Sequence, residues 1–561
     1  MRKYAQISAT TSLARLFLTA LVSAGLTGVS AQAQEAGAAV TNAAVQAAPL
    51  DASNIDPASE GLEDAIEIVE EVEPEVPLLP LPADSEWDEA DLQILAGALF
   101  AAPSHGLPSL DDHAFRIANP TIDRGERIAL AEDAFLSFGG WLRFGLVDQE
   151  SMQARQLRNA QTNILIEALA EGLAAGDLAA ALEAFEPNVR DYDILRDEMM
   201  RMMTLQPIWP QVARGSSLEL GDSGDRVDQL RRRLEAEQLY RADWDEGDVF
   251  DARLETAVRR FQGRVNLSPT GRMDQNTLRQ LNISPQDRIA QLRANMEQRR
   301  WRDRDLGRRH IWVNIADFRL EAWAEGELER VHQVMVGRTA SSTPEFSDVM
   351  EYLVINPWWG VPGGSARARF RSIRRDPSVA AREGFRIFDG YGQTVSPYQV
   401  DWSRWGDNWP YTLSQAPGPT NPMGEIKFKF PNEHLVYIHD TTERDQFVRT
   451  RRDFSAGCIR VQDPMALAEW VLDGQDGYDR ARIDETAAGS SPTVIWLDEQ
   501  LPVHIAYWTV VGDDDGSVRY LNDLYRRDDP LIEAYRAAFT IMQPDDAAIA
   551  AHHDELQTVW N

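Results

Sequence analysis

The chain has 561 residues, of which 43% are apolar and 26% are charged, so it is long enough for about three domains with their own cores. Its formal net charge of −33 argues against nucleic acid as a partner, because the phosphate backbone is bound by excess positive charge. Cys458 is the single cysteine, so a disulfide within the chain is excluded.

The N terminus has the layout of a secretory signal peptide. Arg2 and Lys3 precede an apolar run, and Ala31-Gln32-Ala33 suits a signal peptidase. The apolar run is shorter than the roughly 20 residues that span a bilayer, so residues 1–33 are predicted to be cleaved and the mature chain is not expected to span a membrane. Residues 34–86 are acidic and rich in Ala and Pro, which predicts a disordered tether.

Helical periodicity dominates the next two segments. Residues 87–214 are predicted to form an all-α scaffold, in which Leu165, Leu169 and Leu173 recur at helical spacing. Residues 215–284 are predicted to form a module of three short helices, with apolar faces that include Val227, Leu230 and Leu234 on the first and Leu254, Ala257, Val258 and Phe261 on the second.

A change of period marks the next domain. After a bridging helix within residues 285–308, HIWVNIADFRLEAW, ERVHQVMVGR, VMEYLVINP, HLVYIHD, TVIWLDE and VHIAYWTVV alternate in the manner of strands, which predicts a β-rich domain over residues 309–528. Residues 358–430 are long for a connection and are predicted to be a functional insertion, and residues 529–561 a C-terminal tail. The predicted fold class is therefore multi-domain α+β.

The lone thiol lies inside the β-rich domain. In HLVYIHD, Leu435, Tyr437 and His439 are predicted to share one strand face, and Cys458 follows nineteen residues after His439 in FSAGCIRV. A thiol attacks only as thiolate, and a neighbouring imidazole is its usual activator. Gly457 allows the sharp turn that amide donors need to face an oxyanion. Spacing alone leaves open a core cysteine beside an unrelated histidine.

Two family resemblances extend this interpretation. LGDSGDRVDQLRRRL, AVRRFQ and GRMDQNTL resemble the peptidoglycan-binding domain of cell-wall enzymes. His439 and Ser455-Ala456-Gly457-Cys458-Ile459-Arg460 resemble the signature of the L,D-transpeptidase catalytic domain (YkuD type), in its large multi-domain Gram-negative subgroup. Many members of that family have His where this chain has Ala456, which puts the donor or acceptor preference in doubt.

The resemblance implies a peptidoglycan L,D-transpeptidase of the periplasm. Cys458 would be the nucleophile, His439 the proton donor and acceptor, and Gly457 and Cys458 the backbone donors to the oxyanion, with Ser455 shaping the turn. Arg460 would hold the loop or a substrate carboxylate. A tetrapeptide stem would be the donor, the diaminopimelate of a second stem the acceptor, and D-alanine the leaving group. No cofactor and no metal are expected, and β-lactams of the carbapenem type are the expected inhibitors.

Three alternatives remain open at this stage. The same acyl-enzyme could be resolved by water, which would make the protein an L,D-carboxypeptidase or hydrolase. It could also be resolved by a lysine of an envelope protein, which would anchor that protein to the wall. A non-catalytic wall-binding scaffold with an inert Cys458 is the third.

The predicted insertion, whose arginines could meet stem carboxylates, resembles a cap over the active site in large family members.

Overall fold

A computed structural model describes residues 76–241, 248–404 and 409–542. The helices of these ranges are α1 (Glu89–Phe100), α2 (Asp111–Ala118), α3 (Arg124–Phe144), α4 (Asn159–Ala175), α5 (Leu178–Glu183), α6 (Tyr192–Leu205), α7 (Asp225–Ala236), α8 (Ala252–Arg264), α9 (Gln275–Leu281), α10 (Pro285–Arg300), α11 (Gly363–Arg375), α12 (Ser378–Arg382), α13 (Pro464–Val471), α14 (Arg480–Ala487) and α15 (Asp528–Met542). The strands are β1 (Arg309–Asn314), β2 (Arg319–Ala324), β3 (Glu327–Gly337), β4 (Phe346–Ile355), β5 (Trp359–Gly360), β6 (Phe385–Phe388), β7 (Thr394–Val395), β8 (Thr412–Gln415), β9 (Ile426–Lys429), β10 (Ile438–His439), β11 (Asp453–Ser455), β12 (Ile459–Val461), β13 (Thr493–Ala506), β14 (Val510–Gly512) and β15 (Val518–Tyr520). The predicted multi-domain α+β class is confirmed.

The predicted signal peptide and residues 34–75 of the predicted tether lie outside the described residues. Residues 76–81 run extended along α4, where Asn159 Nδ2 donates to Val76 O at 2.9 Å and Asn163 Oδ1 accepts from Leu79 N at 2.8 Å. None of the helices within the described ranges is long and apolar enough to cross a bilayer.

Helix α6 packs with α10, β14 and β15 in a separate apolar cluster, and α1 to α5 form the N-terminal helical scaffold around one apolar core. Asp88 caps α1 by accepting from Asp91 N, as expected for an N-cap acid. The core also takes in α15, whose Leu531, Tyr535 and Ala538 are buried against the scaffold. Residues 529–542, which were predicted to be part of a tail, are therefore helical, because every third or fourth residue there is apolar.

The three-helix module is α7, α8 and α9. The residues predicted to form its apolar faces are buried in a separate core, together with Phe250 and Met273. The module also contacts the rest of the chain through polar side chains. Arg264 pairs with Glu198 of α6 at 3.1 Å, and Gln280 Nε2 donates to Asn522 Oδ1 at 2.8 Å.

Helix α10 joins the scaffold to the C-terminal part of the chain through buried polar groups. Asn295 Oδ1 accepts from the amides of Thr509 and Val510 at 2.7 and 2.9 Å. Arg299, only 1% exposed, donates from Nε to Asp191 Oδ1 at 2.8 Å and from Nη2 to the carbonyl of Val510 at 2.9 Å. Each of these groups has a partner more than 100 residues away, so α10 connects residue 191 with residues 509 and 510 through buried hydrogen bonds.

The β-rich domain is a nine-stranded mixed sheet in the order β11-β3-β12-β10-β9-β4-β13-β1-β2, and β2 also pairs with β3, so the sheet closes on itself. Its interior is apolar, with Val313, Leu353, Phe428, Ile438 and Val503 all 0% exposed. Two of the predicted strands, TVIWLDE and VHIAYWTVV, contribute to one long strand, β13, with an irregularity between Trp496 and Leu501.

The predicted insertion is a small subdomain of its own. Strands β5, β8, β6 and β7 form a separate sheet, and Phe370 and Ile373 of α11 pack in a separate apolar cluster with Ile387 and Leu413. Strand β9 does not belong to it, although it lies within residues 358–430. It is paired on both sides within the large sheet, so the insertion ends before Ile426 and the predicted boundary was too late.

Loss of the Asp191 carboxylate should destabilise the protein strongly. The Asp191→Ala variant leaves the buried Arg299 guanidinium without its carboxylate, which should cost roughly 3–5 kcal/mol of unfolding free energy. Urea denaturation followed by tryptophan fluorescence measures the change. Asp193→Ala is the matched control, because the Asp193 side chain is 86% exposed, and it should change stability by less than about 0.5 kcal/mol. Equal effects of the two substitutions would contradict a structural role for the Arg299–Asp191 pair.

Candidate active site

The pairing of β10 with β12 brings the predicted histidine and cysteine to one face of the sheet. The strands are parallel, with Ile438 opposite Ile459 and His439 opposite Arg460. Ile438 and Ile459 point into the core, both 0% exposed. Because successive side chains of a strand alternate between faces, His439 and Arg460 lie on the opposite face, together with Cys458.

The strand that carries His439 is shorter than predicted. Only Ile438 and His439 form β10, and Leu435 has a left-handed φ of 55° and is 57% exposed. The cause is a turn held by Asn432, whose side chain accepts from Val436 N at 3.0 Å and donates to Val436 O at 2.9 Å. Leu435 therefore belongs to a turn beside the site, and Cys458 Sγ lies 3.9 Å from its carbonyl oxygen.

The turn at residues 455–458 has most of its polar groups bound. Ser455, only 2% exposed, donates from Oγ to Cys458 O at 2.6 Å and accepts from Gly457 N at 3.1 Å. Gly457 has a φ of 126°, which L-residues with a side chain rarely adopt. The Cys458 amide has no hydrogen-bond acceptor among the described residues. Of the two amides predicted to face an oxyanion, only that of Cys458 is thus available, because that of Gly457 is bound by Ser455.

A second hydroxyl fixes this turn from the outside. Thr343 Oγ1, fully buried, donates to Gly457 O at 2.7 Å and accepts from Gly337 N at 2.9 Å. A trans peptide is planar, so fixing the Gly457 carbonyl also fixes the direction of the Cys458 N–H on the other side of the same peptide bond. Tyr525 of the C-terminal segment holds the loop in place, since its hydroxyl accepts from Thr343 N at 3.3 Å and donates to Gly337 O.

His439 is buried and oriented by a backbone carbonyl. Its Nδ1 lies 2.5 Å from Asp440 O, so Nδ1 carries the proton and Nε2 the lone pair of the neutral ring. Burial, helped by the positive charges of Arg460 and Lys427, lowers the pKa of His439 to about 3. The imidazole is therefore neutral at pH 7 and can accept a proton. The Asp440 carboxylate is bound elsewhere, by Arg444 at 2.6 Å and by Glu425 N at 2.9 Å.

Cys458 is half-buried, and its resting form is the thiol. Burial raises the pKa of Cys458 above its ordinary value, opposed by the backbone N–H of Tyr437 and by the charges of Lys427, Arg460 and Lys429. No hydrogen bond joins Sγ to the imidazole in the part of the chain that the structure describes. The resting pair is thus a neutral thiol and a neutral imidazole on one face, not a thiolate–imidazolium ion pair.

Arg460 holds a neighbouring segment and does not point freely into the site. Its guanidinium pairs with Glu443, which follows His439 on the same connection. Five arginines of the insertion lie on α11, and four of them are exposed, namely Arg367, Arg371, Arg374 and Arg375. Arg369 packs over the Trp359 ring at 4.9 Å.

Two site-facing residues were missed by the sequence analysis, Lys427 and Lys429. Lys427 is opposite His439 across the β9–β10 pair, so both lysines share the face of Cys458. Lys427 Nζ and Lys429 Nζ lie 3.7 and 4.1 Å from the centroid of the Tyr437 ring. The alternation in IKFKF was the available signal, but it lies in the range that was interpreted as an insertion.

Three family models match separate parts of the chain. The "L,D-transpeptidase catalytic domain" (YkuD) matches residues 308–495, the "Putative peptidoglycan binding domain" matches residues 223–281, and the "Scaffold domain" matches residues 85–199. A protein of Haemophilus influenzae, named "Putative L,D-transpeptidase", is 29% identical over 219 residues. That match covers 39% of this chain and 44% of the relative, so less than half of the relative's length is represented.

Solved structures of L,D-transpeptidases also match at low similarity. The one from Xylanimonas cellulosilytica is 13% identical, with 52% of this chain and 99% of that chain covered and a TM-score of 0.18. The one from Stackebrandtia nassauensis is 11% identical, with 53% and 97% covered and a TM-score of 0.19. TM-scores this low support no inference about this chain, so its assignment depends on the sequence matches. By those matches residues 308–495 are similar to the L,D-transpeptidase catalytic domain (YkuD), and the preceding segments are similar to a peptidoglycan-binding domain and a scaffold domain.

Proposed function

We propose that the protein is a peptidoglycan L,D-transpeptidase that forms 3→3 cross-links through a thioester on Cys458. The observation that carries the proposal is the shared face of Cys458 and His439, at a turn whose Cys458 amide has no acceptor among the described residues. The matches to the transpeptidase and peptidoglycan-binding families support the same substrate class. Residues 1–33 would direct export, and the periplasm would be the site of action.

The first half-reaction transfers the donor stem to the enzyme. His439 Nε2 takes the Cys458 proton while Sγ attacks the carbonyl carbon that joins the third stem residue to D-alanine. The oxyanion that forms accepts a hydrogen bond from Cys458 N–H. The C–N bond then breaks, the imidazolium returns its proton to the departing amine of D-alanine, and the thioester remains.

The second half-reaction transfers the stem to an acceptor. The side-chain amine of the diaminopimelate in a second stem attacks the thioester carbonyl and gives a proton to His439. The C–S bond breaks, Sγ takes a proton back from the imidazolium, and the new amide joins two third residues. A carbapenem would enter at the first step, since its strained amide offers the same carbonyl to the thiol.

Cys458→Ala should abolish acylation and cross-linking. Wild-type protein incubated with a carbapenem should gain the mass of one drug molecule, because the chain has one cysteine, and the variant should gain none. Intact-protein mass spectrometry measures the adduct, and muropeptide analysis after incubation with tetrapeptide stems measures 3→3 dimers. Dimer formation by the folded variant would refute the proposed function, and release of D-alanine without dimers would indicate hydrolysis instead.

The rate of Cys458 alkylation should rise steadily with pH. A thiol with a raised pKa loses its proton only in the alkaline range, so the thiolate fraction grows about tenfold per pH unit between pH 6 and pH 8. Alkylation by iodoacetamide, followed by mass spectrometry, measures this fraction. A thiolate–imidazolium pair would instead give a constant rate below pH 7, and such a plateau would contradict the neutral resting pair.

Thr343→Val should slow acylation, because the variant keeps the side-chain shape and removes the hydroxyl that holds Gly457 O. The loss of a fixed oxyanion donor should lower the rate of carbapenem acylation by roughly 10- to 100-fold. Iodoacetamide alkylation forms no oxyanion, so its rate should change less than about threefold. Thr343→Ser retains the hydroxyl and is the matched control, expected to acylate within a few-fold of wild type. Equal slowing of acylation and alkylation in Thr343→Val would mean that the substitution only disturbs the fold.

A further inference from the structure

The chain uses arginine in place of lysine almost everywhere. Of its 56 Lys and Arg residues, only three are lysines, namely Lys3, Lys427 and Lys429. Lys3 lies in the predicted signal peptide, so the other two are the only lysines expected in the mature protein. An ammonium is a compact point charge with rotatable donors, whereas a guanidinium is a planar fork. The two positions that depart from arginine are two residues apart in β9.

Strand geometry places both ammonium groups beside the nucleophile. Phe428, between them, is fully buried in the core, so Lys427 and Lys429 point to the opposite face. Lys429 lies in β9, Tyr437 directly precedes β10, and Cys458 directly precedes β12. Because these three strands are neighbours, the backbone of Lys429 is two strand spacings, about 10 Å, from that of Cys458. Both side chains reach back over the Tyr437 ring, with Nζ 3.7 and 4.1 Å from its centroid, which brings the charges between their own strand and Cys458.

The donor stem carries a negative charge close to the peptide bond that is cleaved. In a tetrapeptide whose last bond is cleaved, the terminal carboxylate is three bonds from the carbonyl carbon that Sγ attacks. It therefore lies within about 4 Å of that carbon, since one residue spans at most about 3.8 Å.

We propose that Lys427 and Lys429 form the binding site for the free terminal carboxylate of the donor peptide. This inference rests on the proposed function and adds the residues that recognise the end of the donor stem. The two ammonium groups attract the carboxylate and align the scissile carbonyl with Sγ. A stem that continues past this residue, or whose carboxylate is an amide, lacks the charge and binds poorly.

The test compares two tetrapeptide stems that differ only at the C terminus, one with a free carboxylate and one with a carboxamide. Release of the last residue, as D-alanine or D-alanine amide, gives kcat/KM for each. Wild type should prefer the carboxylate by at least tenfold. Lys429→Met and Lys427→Met should each reduce that preference several-fold, mainly through KM for the carboxylate peptide. Arg330→Met, which removes an exposed positive charge on β3, is the matched control and should leave the preference unchanged.

A second measurement separates carboxylate binding from a general effect on the thiol. Alkylation of Cys458 by the uncharged iodoacetamide at pH 7 should change less than threefold in the lysine variants. Equal losses with both peptides and with iodoacetamide would show that the lysines only stabilise the thiolate, and would overturn the inference while leaving the proposed function intact. Absence of release from either peptide by wild type would overturn both.

Discussion

The parallel pairing of β10 with β12 is the constraint on which the site depends. It places two isoleucines in the core, and their burial, worth roughly 1.5–3 kcal/mol per side chain, fixes the register. A shift of the strand pairing by one residue would exchange the two faces of a strand and put a polar side chain such as His439 or Arg460 into the apolar interior. The same hydrophobic contact that stabilises the domain thus holds the imidazole and the thiol on the solvent side.

In the turn before β12, the polar groups around the Cys458 amide are bound by neighbouring hydroxyls, and that amide is left available. Ser455 and Thr343 together bind both carbonyls of residues 457 and 458 and the Gly457 amide. The remaining Cys458 amide is held in direction by the planarity of its own peptide bond. The support extends to Tyr525, so the segment after the catalytic domain match contributes to the geometry of the turn.

The parts of the structure that follow from local sequence were predicted, and the parts that depend on distant partners were not. The buried faces of α7 and α8 follow from helical periodicity, and the candidate residues Cys458 and His439 from a short motif. The role of α10 could not be predicted from its sequence, because Asn295 and Arg299 look like ordinary surface residues until Thr509 and Asp191 are in place. Strand β9 was missed because its four residues give a weak signal in a long irregular stretch, and the binding of the Gly457 amide by Ser455 depends on a turn conformation that no periodicity encodes.

The two lysines connect the electrostatics of the resting site to the proposed chemistry. Burial raises the pKa of Cys458 and lowers that of His439, so both groups are neutral before substrate arrives. The ammonium groups of Lys427 and Lys429 lie beside this neutral pair and attract a ligand that brings a carboxylate. Once that carboxylate is bound, part of the positive charge that favours the thiolate is neutralised, so proton transfer from Cys458 depends more on His439 than it does in the free protein. On this proposal the lysines act chiefly in recognition, and the imidazole must lie on the same face because a thiol with a raised pKa needs a base to take its proton at neutral pH.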